Sequence, residues 1–360
     1  MHLTAERDAL ASAFDALGLV VEGKVVIPVL GSVAMTAENG TLRLCTSNLD
    51  QCVSATIIAD VKDTGDGCIP FQALAGLVRG SAKGTHAKIV ATDTTATISI
   101  GRSRYQLGVL PTTDFPPMLT PQAPSVFECN VGDLKKLVDS ASYAVNPADT
   151  RPFVSNVGID GSDDNLAIVC SDGHQMAVAT YTTPVPFGRI LLTPKVMKDI
   201  LSLTNDVAQF SVGENAISVV AGGRTYAAKL STGELPPYQR LISPIPENGS
   251  LVDSVELLSA LRRLRTITDN NKNSSAVKVS WGDGKLTLNV GKGEQSGEEE
   301  MEIDAPGSAE FACNINYLYD AVDHMDSDTL RLHNGGAGSA IHILPPTNAS
   351  RHFVIMPMRW

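Results

Sequence analysis

In Val277-Lys278-Val279-Ser280-Trp281-Gly282-Asp283-Gly284-Lys285-Leu286-Thr287-Leu288-Asn289-Val290, apolar residues alternate with polar ones on both sides of a Gly-Asp-Gly turn. That is the period-two signature of a hairpin with one face buried. Just upstream the period changes: from about Asp253, Leu257, Leu261 and Leu264 fall on one stripe of a helix. Downstream, Asn314 to His324 reads as a second helix. A helix with a single apolar stripe has to cover an apolar face, and half-buried antiparallel strands supply one.

This block has two counterparts earlier in the chain, spaced at intervals of somewhat more than ~100 residues. One starts near Val131, with Leu134, Leu137, Val138 and Ala141 on its stripe, and has a second helical stretch at Pro194 to Leu203. The other starts with Thr4 as N-cap, followed by Leu10, Ala13, Phe14 and Leu17 on one face, and has its second helix at Phe71 to Arg79. A further hairpin runs from Phe210 and Val212 through Gly213-Glu214-Asn215 to Ile217 and Val219. The proline-rich stretches Pro111 to Pro124 and Leu235 to Pro246 break both periodicities and suit connectors. The expectation is an α+β chain of three repeated domains, 1–121, 122–243 and 244–360, each with two helices packed on antiparallel sheet.

At 360 residues the chain exceeds what one core usually supports, and 43% hydrophobic with 19% charged residues is the composition of a folded chain. No apolar run approaches the roughly 20 residues that span a bilayer. Met1 to Leu10 is charged and lacks a signal-peptide core, so a cytoplasmic protein is expected. The six cysteines, Cys45, Cys52, Cys68, Cys129, Cys170 and Cys313, form no C-x-x-C pair and several lie in strand-like runs. They read as buried free thiols; no metal and no cofactor are expected.

The net charge of −11 argues against nonspecific adhesion to nucleic acid, so any such role rests on where the charges sit. Across the six helical windows, ten basic residues balance ten acidic ones, which leaves the excess acid in strands and loops. Arg262, Arg263 and Arg265 come late in their helix, while Asp8, Asp133 and Glu256 come early, as the helix dipole favours. Ordinary solvated helix faces explain this distribution equally well. The run Glu298-Glu299-Glu300 with Glu302 reads as a charged strand edge that discourages aggregation.

Four strings carry a resemblance to a family: Gly101-Arg102-Ser103-Arg104-Tyr105 continuing through Leu110-Pro111 to Asp114-Phe115-Pro116; Ser171-Asp172-Gly173-His174-Gln175-Met176-Ala177-Val178; Lys229-Leu230 with Gly233 and Pro236 to Arg240; and Val354-Ile355-Met356-Pro357-Met358-Arg359. In order and spacing they resemble the bacterial DNA polymerase III beta subunits, the beta sliding clamps, over essentially the whole chain. The resemblance implies a non-enzymatic processivity factor of DNA replication with the DNA clamp fold. Two subunits would close head to tail into a ring dimer around double-stranded DNA, gripped without sequence specificity. Its partners would be the DNA polymerase III alpha subunit, the clamp loader, and other polymerases and repair proteins, with no membrane.

The same resemblance implies three sets of site residues. A pocket for partner peptides would comprise Arg151, Val154, Ser171, Gly173, His174, Gln175 and Met176, then Pro236, Arg240, Leu241, Asn314 and Tyr317, and from the tail Val354, Met356, Pro357, Met358 and Arg359. Methionines adapt to varied side chains and prolines stiffen the walls, which suits a site serving several partners. Phosphate contacts would come from Lys24, Arg79, Lys135, Lys136, Lys195, Lys198 and Arg262. Ring closure would join Arg102, Arg104, Tyr105 and Leu107 of one subunit to Ile267, Glu298, Glu299 and Glu300 of another. The chain departs from the family pattern in four places. Gln175 stands where many members have arginine, Met176 where leucine is common, Trp360 where leucine is frequent, and Pro152-Phe153 where aromatics are usual.

Three rival readings stand beside this one. Ser171, Asp172 and His174 hold the chemical groups of a hydrolase triad, yet three such groups within one tight turn cannot adopt triad geometry. Gly335-Gly336-Ala337-Gly338 hints at a phosphate loop but is followed by strand-like residues, so it reads as a hairpin turn. An adaptor of β-rich repeats that never encircles DNA is the other alternative.

Overall fold

A computed structural model describes the chain except residues 163, 164, 184, 186, 243, 247, 248, 269–274, 293, 294, 306, 337, 348 and 349. Ala337 of the glycine-rich turn and Ser243 at the expected second boundary therefore lie outside the described residues. The helices, in chain order, are α1 (Arg7–Leu17), α2 (Phe71–Arg79), α3 (Val131–Ala141), the single turn α4 (Pro152–Ser155), α5 (Pro194–Leu201), the single turn α6 (Gln239–Ile242), α7 (Ser254–Arg265) and α8 (Ile315–Asp323). The apolar stripes read from sequence are the buried faces: Leu10, Ala13, Phe14 and Leu17 on α1, and Leu257, Leu261 and Leu264 on α7. Phe14 and Phe71 meet edge to face at 5.7 Å, which locks α1 to α2.

Among the described residues, each of the six longer helices is entered almost directly from a strand and left toward a three-stranded antiparallel meander. The leading strands are His2–Glu6, Gly65–Pro70, Ser125–Asn130, Gly188–Leu192, Gly249–Asp253 and Ala309–Asn314. The repeat is therefore half the length read from sequence, a strand–helix–meander copy present six times. Consecutive copies exchange their leading strands. His2–Glu6 pairs with His86–Ala91 of the second meander, and Gly65–Pro70 pairs with Ser32–Glu38 of the first. The third and fourth copies repeat this exchange, as do the fifth and sixth.

Thr4 does not cap α1. It lies inside His2–Glu6 opposite Lys88, because the sheet claims the backbone up to Glu6, which becomes the N-cap. At α7 and α8 the caps are side chains: Asp253 accepts from the Glu256 N–H at 2.8 Å, and Asn314 from the Asn316 N–H at 2.9 Å. The 277–290 hairpin forms as read, with Trp281 opposite Leu286 and a turn in which Asp283 and Gly284 both have positive φ (52° and 79°).

The chain condenses into two units. The first, Met1–Gly132 with Lys195–Leu230, holds a five-stranded and an eight-stranded sheet. In the eight-stranded one, Gln51–Ile58 of the first meander pairs with Arg224–Lys229 of the fourth. The second unit, Asp133–Pro194 with Ser231–Trp360, holds an eight-stranded and a four-stranded sheet. Here Gln175–Thr182 of the third meander pairs with Arg351–Ile355 of the sixth. All six cysteines are free; Cys52, Cys68, Cys170 and Cys313 are buried, and burial pushes the Cys170 and Cys313 thiols up to about 12. Among the described residues no helix is long and apolar enough to cross a membrane.

Candidate functional site

In the second unit, one face of the eight-stranded sheet forms an apolar floor. Ala167 and Val169 alternate on one strand and Met176 and Val178 on its neighbour, joined by Leu191 and Val354. Leu235 and Tyr238 are buried against them, with Ile242 packed alongside. Leu235, Tyr238 and Ile242, from the stretch read as a connector, thus also build the wall of this site. It is held in place by buried Asp160, whose carboxylate accepts from Arg189 Nε at 3.0 Å and Gln239 Nε2 at 3.3 Å. The Arg189 guanidinium stands 5.8 Å from the Tyr238 ring centre. This clamp fixes α6, leaving Arg240 exposed and Leu241 57% exposed at the rim, while Pro236 is half-buried.

The opposite rim is the turn from Ser171 to Gln175. Ser171 Oγ donates to the Gln175 carbonyl at 2.7 Å and accepts from the Gly173 N–H at 3.1 Å. Asp172 accepts from the His174 and Gln175 N–H groups at 2.8 and 2.9 Å, and from Gln175 Nε2 at 3.1 Å. The His174 ring stacks on Tyr317 at 6.4 Å. Tyr317 is half-buried; burial, with the Asp172 carboxylate beside its hydroxyl, raises its pKa. The Ser171 hydroxyl and the Asp172 carboxylate are committed to shaping the turn and the His174 ring lies against Tyr317, so the hydrolase reading fails on geometry as well as on spacing.

Gly173 has φ +88°, and a Cβ there would come within 2.9 Å of Arg151 Nη2, so only glycine lets the guanidinium lie against the turn. Arg151 is oriented by Asp149, which accepts from Nε at 3.0 Å and Nη2 at 2.9 Å; this fork lowers the Asp149 pKa to about 2. Val154 is buried one turn on, and Asn314 is buried as the α8 cap, which orients Tyr317.

The tail closes the groove. The Met356 N–H donates to the His174 carbonyl at 2.8 Å, and the Met358 N–H to the Ala312 carbonyl at 2.7 Å. Between these ties Met356 is 49% exposed and Pro357 half-buried, and Arg359 beyond is exposed. Asp172, Gln175 and Tyr317 also line a polar cavity of about 920 Å³ with Arg262 and Arg265. Gln175 Oε1 is buried beside it without a hydrogen-bond partner. The structure thus brings Ser171, Gly173, His174, Gln175, Met176, Tyr317, Val354 and Met356 together. The sequence reading missed Ala167, Val169, Val178, Leu191, Leu235 and Tyr238, although period-two alternation with Met176 marks Val178.

The remaining candidates lie on helices, at sheet edges and in the loops beside them. Lys135 and Lys198 are exposed on α3 and α5, and Lys24 is exposed in a loop. Lys136 pairs with Asp133 at 2.8 Å, Arg79 with Asp15 at 3.0 Å, and Arg262 donates to the Tyr319 hydroxyl at 3.3 Å. Lys195 is already engaged by Leu19 O, Gln51 Oε1 and Asp199 Oδ2, at 2.8, 3.2 and 2.6 Å. Ser103–Gly108, carrying Arg104, Tyr105 and Leu107, is the outer strand of the five-stranded sheet, with Arg102 in the turn before it. Gln295–Glu302, carrying the acidic run, is the outer strand of the four-stranded sheet, and Ile267 lies against its Gly297. Glu299 is forked by Arg263 at 2.7 Å and Glu300 meets Lys285 at 2.6 Å, so two of these three acids are neutralised within the chain.

The profile for the DNA polymerase III beta subunit, N-terminal domain, matches residues 1–120, and that for its C-terminal domain matches residues 240–359. Beta sliding clamps of Pseudomonas putida and Caulobacter vibrioides are each 25% identical, with 100% of both chains covered. Among solved structures, Caulobacter crescentus pol III beta superposes with a TM-score of 0.90 at 25% identity, covering 100% of each chain. A sliding clamp from Bartonella birtlesii, bound to griselimycin, does so with a TM-score of 0.86 at 26% identity, again over 100% of each chain. Six exchanged strand–helix–meander copies in a three-domain arrangement define a DNA clamp, a non-catalytic processivity factor of replication. The chain belongs to the DNA polymerase III beta subunit family, the beta sliding clamps.

Proposed function

We propose that two copies of this chain close head to tail around double-stranded DNA and tether polymerases through peptides docked in the groove beside the Ser171–Gln175 turn. The observation that carries this reading is a pairing rule. The last meander strand of the first copy joins that of the fourth, and the last of the third joins that of the sixth. Continued by the same interval, the fifth copy of one chain takes the second copy of another. Among the described residues, the last meander strands left without such a partner are Gln295–Glu302 and Ser103–Gly108, each at one edge of its sheet. Two such junctions use every free edge of this kind and close the assembly.

Domain boundaries at 121/122 and 243/244 fit the three exchanged pairs. Exposed Lys24, Lys135 and Lys198, with Lys136, Arg79 and Arg262, supply sequence-independent phosphate contacts; Lys195 contributes its stem more than its charge. Such a protein works in the cytoplasm, serving the polymerase alpha subunit, the clamp loader and repair proteins in turn. Loading onto a nicked circular plasmid with a bacterial clamp loader tests the reading. The protein is expected to remain on the circle through gel filtration and to leave once the circle is linearised. Equal retention on both forms, or on neither, would count against enclosure.

A further inference from the structure

The tail does not end at the groove. After Met358 is tied to Ala312, the chain reaches Trp360, which is 42% exposed and lines an open depression of about 450 Å³ with Lys278, Asn289 and Glu298. These residues form one cross-strand row. Ala312 stands opposite Lys278, Lys278 opposite Asn289, and Asn289 opposite Glu298, so the row crosses all four strands of the small sheet. Their strand neighbours Val277, Val279, Leu288 and Val290 are buried, which makes the row part of the solvent-side face. Two extended residues cover roughly 7 Å, and strands lie about 4.8 Å apart. Met358 lies one strand spacing outside Ala312, so these two residues bring the chain back over the edge strand and the indole spans the rest of the way to the row.

We propose that Trp360 is a positioning residue of the peptide site: lodged over the Lys278–Asn289–Glu298 row, it holds the tail so that Met356, Pro357 and Met358 stand as a wall of the groove. The inference rests on the groove being a peptide site. Beyond Ile355 the tail leaves its sheet, and the Met356 and Met358 N–H groups tie it to a turn carbonyl and to an edge strand. A large, rigid indole at its end restricts the swing of the segment between them, so less order has to be imposed when a peptide arrives.

The experiment compares wild type with Trp360→Ala and Trp360→Phe, using a tryptophan-free clamp-binding peptide and calorimetric or anisotropy titration. Trp360→Ala is expected to raise Kd about two- to tenfold, the scale of one or two side chains left unordered. Trp360→Phe is expected to restore most of the affinity, with the thermal midpoint of both variants near that of wild type. The protein holds two tryptophans, and Trp281 is buried. The wild-type minus Trp360→Phe emission spectrum therefore isolates Trp360 and measures its shielding from iodide without any peptide. Shielding no better than that of a free peptide ending in Met-Arg-Trp, or an unchanged Kd in Trp360→Ala, overturns the proposal. Failure of wild type to bind any clamp peptide would sink the groove reading and this role with it, while the iodide result would still report whether the anchor exists.

Discussion

In the groove, Gln175 is a residue whose hydrogen bonding its surroundings leave incomplete. Its Nε2 reaches Asp172, but its Oε1 is sealed from solvent and has no donor, a situation that costs about 1–3 kcal/mol. An arginine has donors and no acceptor, and the adjoining cavity has room for its longer head. Gln175→Arg is therefore expected to stabilise the protein by about 1 kcal/mol, read as a higher midpoint in thermal or urea unfolding; a lower midpoint would mean that the amide packing outweighs the orphan oxygen. The sequence marked Gln175 as a departure from the family pattern, and it marked Gly173 as a turn residue. It could not show the orphan oxygen, which depends on how a side chain from one turn meets a cavity bounded by α7 and α8. Tyr238 and Leu191 escaped notice for a similar reason: neither belongs to a motif, and only the docking of α6 brings them together.

At the scale of elements, amphipathic helices and turn-bounded hairpins were legible because their signals are local: Leu257, Leu261 and Leu264 declare a face whatever they meet. The exchange of leading strands was not, since Gly65–Pro70 carries no mark telling it to pair with Ser32–Glu38. Thr4 was misread for the same reason, a local capping signal overridden by a distant sheet partner. One pair of neighbouring strands has a further consequence. His342 Nδ1 and His352 Nε2 face each other at 2.9 Å, both buried. Burial, then the charge of the neighbouring histidines, lowers the pKa of both below 6.5, that of His352 to about 4. The unfolded chain thus takes up protons that the fold refuses. Stability is complete above about pH 6.5 and falls as the pH drops toward 4. Thermal midpoints are expected to decline by several degrees across that window. The double variant His342→Leu/His352→Leu should flatten the slope, and an equal slope would assign the acid sensitivity elsewhere.

For the whole molecule, the proposed seam between subunits would depend less on charge than the sequence suggested. Glu299 and Glu300 are spent on Arg263 and Lys285, which would leave Glu298 alone to face Arg102 and Arg104, and strand-edge hydrogen bonds with the apolar Tyr105, Leu107 and Ile267 to carry most of the proposed junction. Replacing both Tyr105 and Leu107 by alanine is expected to shift the protein toward monomer in light scattering at low concentration, while added salt within the physiological range changes wild type little. An unchanged mass for the double variant would remove this edge from the interface.

The swapped leading strands also limit how such a chain can change in length. A lone copy would have a meander missing its fourth strand and a first strand with nowhere to lie, so gain or loss of a single copy would leave raw backbone at both places. Viable duplications and deletions therefore come two copies at a time, and the count along any descendant of this architecture stays even.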